Sequence, residues 1–247
     1  MTIDFWYNNM DIVFFIYGCA FFVLGLSIIM QLRITRTSEF KLLHILSPLA
    51  WFGLIHAASA FLDMFTWNKI GCFYYMPLNS IILGFSFLAV FIFGYKLINI
   101  GSNKVFGSLF ILAIILAYFG LPLIVGANSF VNWDISAKYF LGFVGEFLCS
   151  VGFLLYYCSN DEKIKEHSAD MFFLVTSLLF LFLSVLEGLI VPQSNFFPAS
   201  ALNTREFLKV VGIPVQIFRA VAAIGIAWGV WHITNLFNKE HITKSGK

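Results

Sequence analysis

The sequence predicts an all-α polytopic membrane protein: a bundle of seven transmembrane helices, amino terminus outside and carboxy terminus in the cytoplasm. Of 247 residues, 60% are hydrophobic and 11% charged, against about a quarter charged in soluble domains. Five stretches carry no formal charge, 12–32, 42–62, 70–95, 105–133 and 220–238, and each approaches or exceeds the ~20 apolar residues that cross a bilayer as a helix. Two more, 139–158 and 171–191, reach that length with one carboxylate each, Glu146 and Glu187.

The spans fall at about 12–32, 42–65, 74–95, 105–126, 139–158, 171–191 and 212–236, a single membrane domain over 1–237 with a cytoplasmic tail at 238–247. The first ten residues hold Asp4 and no Lys or Arg, so span one has no basic region of a signal peptide and reads as retained. Span two carries His44 at its inner start, then His56 and, seven residues on and on the same helix face, Asp63. Spans three and four are uncharged and are separated by a short polar loop ending at Lys104. Span five follows Lys138 and carries Glu146; span six carries Glu187 and stops at Pro192; span seven carries Gln216 and Arg219, which nearly share a face. The loop between spans five and six holds Asp161, Glu162, Lys163, Lys165 and Glu166 and reads as a solvated connector. The connectors leave no room for a separate kinase, nuclease or dehydrogenase domain.

Segment 192–211 is the longest connector and, with Phe196, Phe197 and Pro198 at its centre, too apolar for a simple solvated loop. Asn203, three residues before Glu206 and followed by Phe207 and Leu208, reads as the N-cap of a short helix. The segment is expected to form an outer lid over the bundle, against the alternative that Phe196 and Phe197 dip into lipid.

Orientation rests on the basic residues. Arg33, Arg36, Lys41, Lys96, Lys104, Lys163, Lys165, Lys239, Lys244 and Lys247 fall on the side assigned to the cytoplasm, and Lys69, Lys138, Arg205 and Lys209 on the other, as the positive-inside rule requires. Trp6, Tyr7, Trp67, Tyr74, Tyr75, Trp133 and Tyr139 would form the outer aromatic belt; Tyr95, Tyr156, Tyr157, Trp228 and Trp231 would form the inner one. The basic residues form no stripe, so no nucleic-acid partner is expected. Cys19, Cys72, Cys149 and Cys158 lack metal-binding spacing and read as ordinary thiols, against the alternative of a Cys19–Cys72 disulfide near the outer face.

Ionisable residues in a span are costly and usually face the protein interior. Asp63, Glu146, Glu187 and Arg219, with His56, all fall in the outer half of the membrane. A conduit would need such groups from surface to surface, so the pattern favours a cavity open to the outside, bounded by His56, Asp63, Glu187, Gln216 and Arg219 beneath a lid that includes Asn203 and Phe207. Arg219 is expected to be held by Glu187 or Asp63, because an unpaired guanidinium in hydrocarbon is prohibitively costly. His44 and His56 lie twelve residues apart on one helix, about 18 Å, and cannot share a metal. No HxxxH or HExxH accompanies His56, so neither haem nor metal is expected there, and no cofactor is assigned. No nucleophile with a general base stands out, so no catalytic residue is assigned, and span seven has no lysine for a retinal Schiff base.

Particular strings carry a resemblance. Phe21-Phe22-Val23-Leu24-Gly25-Leu26, Trp51-Phe52-Gly53-Leu54-Ile55-His56 with Asp63-Met64-Phe65, Lys138-Tyr139-Phe140-Leu141-Gly142-Phe143, and above all Phe196-Phe197-Pro198-Ala199-Ser200 with Leu202-Asn203, Phe207 and Gly212-Ile213-Pro214-Val215-Gln216-Ile217-Phe218-Arg219-Ala220 resemble the amino-terminal membrane module that precedes PAS, histidine kinase and diguanylate cyclase domains in many bacterial signalling proteins. The resemblance covers essentially the whole chain. It implies a sensory input module in a bacterial cytoplasmic membrane, relaying a stimulus through span seven to a kinase or cyclase output. Since the sequence ends at Lys247, that output would belong to a longer chain or to a separate partner, and a homodimer is compatible. Glu146 stands where the family has a small residue, which makes it a secondary candidate particular to this protein. The competing class is a small-solute transporter or intramembrane metal-dependent enzyme built on the same polar residues.

Overall fold

Backbone in hydrocarbon must satisfy its own hydrogen bonds, and a long apolar run does so as a helix. The computed structural model describes residues 2–34, 41–68, 72–101, 107–159 and 170–245, with 2, 34, 72–75, 101 and 236–245 described by backbone path alone. Among the described residues the chain is helical, with no strand and one isolated bridge between Val191 and Asn203. A surface turn, α1 (Thr2–Asn8), leads into α2 (Met10–Ile34); a short turn, α3 (Lys41–His44), precedes α4 (Ser47–Trp67). There follow α5 (Cys72–Gly101), α6 (Ser108–Val125), α7 (Phe130–Ser159), α8 (Asp170–Leu189), the short α9 (Thr204–Val211) and α10 (Val215–Ser245). Seven of these, α2, α4, α5, α6, α7, α8 and α10, are long and apolar enough to cross a membrane.

Six of the seven close into a ring in chain order: α2 packs on α4, α4 on α5, α5 on α7, α7 on α8, α8 on α10, and α10 back on α2. The seventh, α6, lies outside and touches chiefly the first half of α7. Only 6% of its most apolar window is buried, against 44–56% for the ring helices. Segment 192–211 sits at one end of the ring, hereafter the lid end. Tyr7 stacks on Trp67 there with centroids 5.9 Å apart, and Trp6 Nε1 donates to Gly212 O at 2.8 Å.

Close helix contact in lipid depends on small residues at the interface. The tightest point between α2 and α4 is Gly25 against Gly53, where a Cβ on Gly53 would lie 2.5 Å from Gly25 N. Within the ring, Phe21, Phe52, Phe87, Phe153, Phe173 and Phe180 are fully buried. They form edge-on, tilted and stacked contacts, Phe21–Phe52, Phe52–Phe87, Phe153–Phe180 and Phe153–Phe173.

Several boundaries differ from the sequence reading. The fifth span begins at Phe130 rather than near 139, so Lys138 and Asp134 are helix residues and not loop residues. They do not end the helix because their side chains line the interior of the bundle, where polar partners replace water. The second span starts at Ser47, with a proline in its first turn, where the missing N–H costs nothing, and α10 runs on to Ser245. Cys19, Cys149 and Cys158 are free thiols. The Cys72 side chain, the 160–169 loop with its charges and the side chains of the 238–247 tail lie outside the described residues.

The Gly25–Gly53 contact gives a paired prediction. Gly53→Ala forces two backbones apart and should destabilise the solubilised protein by about 1–3 kcal/mol. Gly120→Ala on α6, where a Cβ meets nothing within 4 Å, should instead gain up to about 1 kcal/mol of helix propensity. Thermal unfolding of both variants checks the pair.

Candidate functional site

Glu187 is fully buried in a π-helical turn, Val185–Leu189, that ends α8. Opposite it, α7 contains a second π-helical stretch, Ala137–Phe143, which carries Lys138. The two stretches pack on each other, and Gly188 makes this possible, since a Cβ there would lie 2.6 Å from Phe143 Cα. π-Turns inside helices often mark functional positions. Here they bring an acid and a base together: Lys138 Nζ lies 3.3 Å from Glu187 Oε2.

The other carboxylate oxygen meets three helices. Tyr17 OH, from α2, donates to Oε1. His56 Nε2, from α4, lies 3.5 Å from Oε1 and 2.5 Å from Tyr17 OH. Arg219 Nε, from α10, lies 3.5 Å from the same oxygen. Behind His56, Ser86 Oγ of α5 is 3.1 Å from Nδ1. Tyr17 donates to Glu187 and Ser86 Oγ donates to Leu83 O at 2.8 Å, and the tautomer of His56 sets the direction of its bonds to these two hydroxyls. All six ring helices therefore contribute a side chain to one hub.

Arg219 has a second task. Its Nη2 donates to Leu186 O at 2.6 Å and to Ile190 O at 2.7 Å, and its Nε donates to Leu186 O at 3.1 Å. Carbonyls at a helix C-terminus have no intrahelical donor and carry partial negative charge, so the guanidinium caps α8 while neutralising Glu187. Of the two partners expected for Arg219, Glu187 is the one found. Asp63 instead accepts from Asn79 Nδ2 at 2.7 Å, and Asn79 Oδ1 accepts from Ser59 at 2.6 Å.

Above the hub, towards the lid end, lies a cavity of about 170 Å³. It is lined by Phe14, Tyr17, His56, Ser59, Ala60, Asp63, Asn79, Leu83, Asp134, Lys138, Pro192, Thr204, Gln216 and Arg219. His56, Asp63, Gln216 and Arg219 thus share one space, with Glu187 beneath it. Asn203 is not among the lining residues: its Oδ1 accepts from Glu206 N at 3.0 Å as the predicted N-cap, and its Nδ2 donates to Ala199 O and Ser200 O. It holds the lid in shape. In the lid, Phe196 packs against Ile135, Val191 and Ala199, while Phe197 is 80% exposed and its peptide bond to Pro198 is cis. Phe207 meets Phe218 of α10 edge-on at 5.8 Å.

Glu146 lies two turns beyond Lys138 on α7, fully buried, with neither carboxylate oxygen hydrogen-bonded. Sequence reasoning missed Lys138, Asp134, Tyr17, Ser86, Asn79 and Ser59. The first two are spaced i, i+4 in an otherwise apolar run, a signal that 130–143 is one helix; the others carry no charge and gave none. Both ring nitrogens of His56 are engaged by hydroxyls, and among the described residues no three His, Cys, Asp or Glu side chains group as metal ligands would. No family model, curated protein or solved structure matches this chain.

The two buried acids should respond oppositely to neutralisation. Glu187→Gln strands Lys138 and Arg219 and should destabilise the protein by about 3–5 kcal/mol. Glu146→Met removes two buried oxygens that lack partners and should be neutral or stabilising by about 1–3 kcal/mol. Thermal midpoints of the two variants in one detergent measure the contrast.

Proposed function

We propose that this chain is a sensory module of a bacterial cell membrane, with the lid end outside, in which a solute in the cavity shifts α10 and so reports to a cytoplasmic output. One observation carries the reading. Gln216 and Arg219 face the cavity from the first turns of a helix that continues unbroken to Ser245, about 46 Å at 1.5 Å per residue. A change in how Glu187 divides its contacts among Lys138, Tyr17, His56 and Arg219 alters the seat of that rod. The stimulus acts by binding two arrangements of α10 unequally. The distribution of Lys and Arg supports the orientation, and moving Lys138 into the bundle strengthens it, leaving Arg205 and Lys209 on the lid side among the described residues.

The packing below the hub favours a receptor over a conduit. One turn beyond Tyr17 and His56 the ring is filled by Phe21 and Phe52, with Phe87 beside them and Phe153, Phe173 and Phe180 further along. Among the hydroxyls in that half, Ser150 and Ser177 bond to each other and Thr234 bonds to Val230 O and Trp231 O, while Thr176 Oγ1 is buried without a hydrogen-bond partner. A cavity that ends on stacked phenylalanines suits a ligand that enters and leaves by the same mouth.

The test is a chimera in which α10 leads into a reporter kinase. Arg219→Gln should move basal kinase output by about tenfold or more, in either direction, as expected when about 1.4 kcal/mol is shifted between two states. An Arg219→Gln protein that folds, reaches the membrane and gives unaltered output sinks the proposal.

A further inference from the structure

The cavity on which the sensory reading rests has unequally committed walls. At its floor the cations are spoken for: Lys138 and Arg219 both contact Glu187, and Arg219 also holds Leu186 O and Ile190 O. On its side wall are two carboxylates, Asp63 from α4 and Asp134 from α7. Neither has a cationic side chain within 4.0 Å among the described residues; Lys138, one turn from Asp134, is turned to Glu187 instead. Asp63 has one oxygen engaged by Asn79, and Asp134 Oδ1 is buried with no hydrogen-bond partner. A separate observation points into the same space. Gln216, on the first turn of α10, is 7% exposed, lines the cavity and has no hydrogen-bond partner among the described residues. Two carboxylates and an idle amide around one void are costly in a low-dielectric bundle unless something enters to satisfy them.

We infer that the cavity binds a small organic monocation bearing N–H donors, a primary ammonium with a short apolar body. Its ammonium group sits between Asp63 and Asp134, and its body lies against Phe14 and Leu83. A volume of about 170 Å³ takes a molecule of roughly the size of a six-membered ring, which excludes peptides and nucleotides. Anions are disfavoured because the basic groups already have partners and the two wall carboxylates are acceptors that would repel them, while the Gln216 amide offers both a donor and an acceptor. The Gln216 amide, on the helix that leaves the bundle, is the element through which occupancy would be felt.

The experiment uses the purified full chain in lipid nanodiscs, titrated calorimetrically and by thermal shift with isoamylammonium, benzylammonium, tetramethylammonium, sodium, acetate and L-alanine. Isoamylammonium or benzylammonium is expected to bind saturably and raise the unfolding midpoint, while tetramethylammonium, which has no N–H, sodium and acetate do not. Asp63→Asn and Asp134→Asn should each weaken amine binding by about ten- to a hundredfold, and the double variant should abolish it. Both variants should unfold no earlier than the parent without amine, because each removes a carboxylate without a counter-ion. Tighter binding of acetate or L-alanine than of the amines, an equal response to sodium, or amine affinity unchanged in the double variant overturns the assignment. Spin labels at the far end of α10 separate this inference from the sensory reading. Amine binding that leaves α10 in place contradicts the sensor and supports the ligand class; movement driven by an anion or a neutral solute does the reverse.

Discussion

A single buried carboxylate, Glu187, holds two buried cations and two further hydrogen-bonding side chains in the middle of an apolar bundle. Lys138 and Arg219 would each be prohibitively expensive in hydrocarbon without it, and the carboxylate is equally dependent on them. The local departures from regular structure follow from that constraint. The π-turns of α7 and α8 bring Lys138 and Glu187 face to face, Gly188 lets the turns touch, and the end of α8 supplies carbonyls for the part of Arg219 that the carboxylate leaves free. Since each ring helix gives one side chain to the hub or to His56 behind it, the closed ring and the hub specify each other. A buried ionic group of this kind is a weak source of stability and a plausible source of uniqueness, because alternative helix registers leave a charge unpaired.

The same arrangement divides the molecule along its axis. On the lid side of Glu187 the interior is polar, partly empty and covered by a segment that Asn203 keeps folded. On the other side it is filled with aromatic rings. The helix that joins the halves most directly is α10, which meets the cavity with Gln216 and Arg219 and extends beyond the bundle core to Ser245. In the proposed sensor, a signal originating in the cavity would travel along this one continuous helix, with no need for a path through the phenylalanine layer.

Much of this was legible in the sequence. Five uncharged runs and two with a single carboxylate gave seven spans, and the rule that intramembrane charges face inward picked out His56, Asp63, Glu146, Glu187 and Arg219, with Gln216 near the Arg219 face; the structure gathers all of these but Glu146 at the cavity and the hub beneath it. Asn203 was legible as a helix cap, and there its role is structural. Lys138 and Asp134 were hidden because a charge near a span boundary reads as the loop, when here it marks helix facing inward. Tyr17, Ser86, Asn79 and Ser59 were hidden because their polarity is uncharged and their value comes only from what they face. Neither the π-turns nor the position of α6 outside the ring has a signature in hydropathy: α6 and α2 have the same peak value, 2.6, yet one is peripheral and the other is in the ring.

The claim that the hub acts as a unit is tested most directly by a double-mutant cycle between Glu187→Gln and Arg219→Met, read as unfolding free energy in one detergent. If the pair is coupled as the geometry indicates, the double variant costs less than the sum of the single variants, with an interaction energy of about 1.5 kcal/mol or more. Additive losses would contradict the account, because they would mean that Arg219 is held by the α8 carbonyls alone and that Glu187 does not govern the seat of α10.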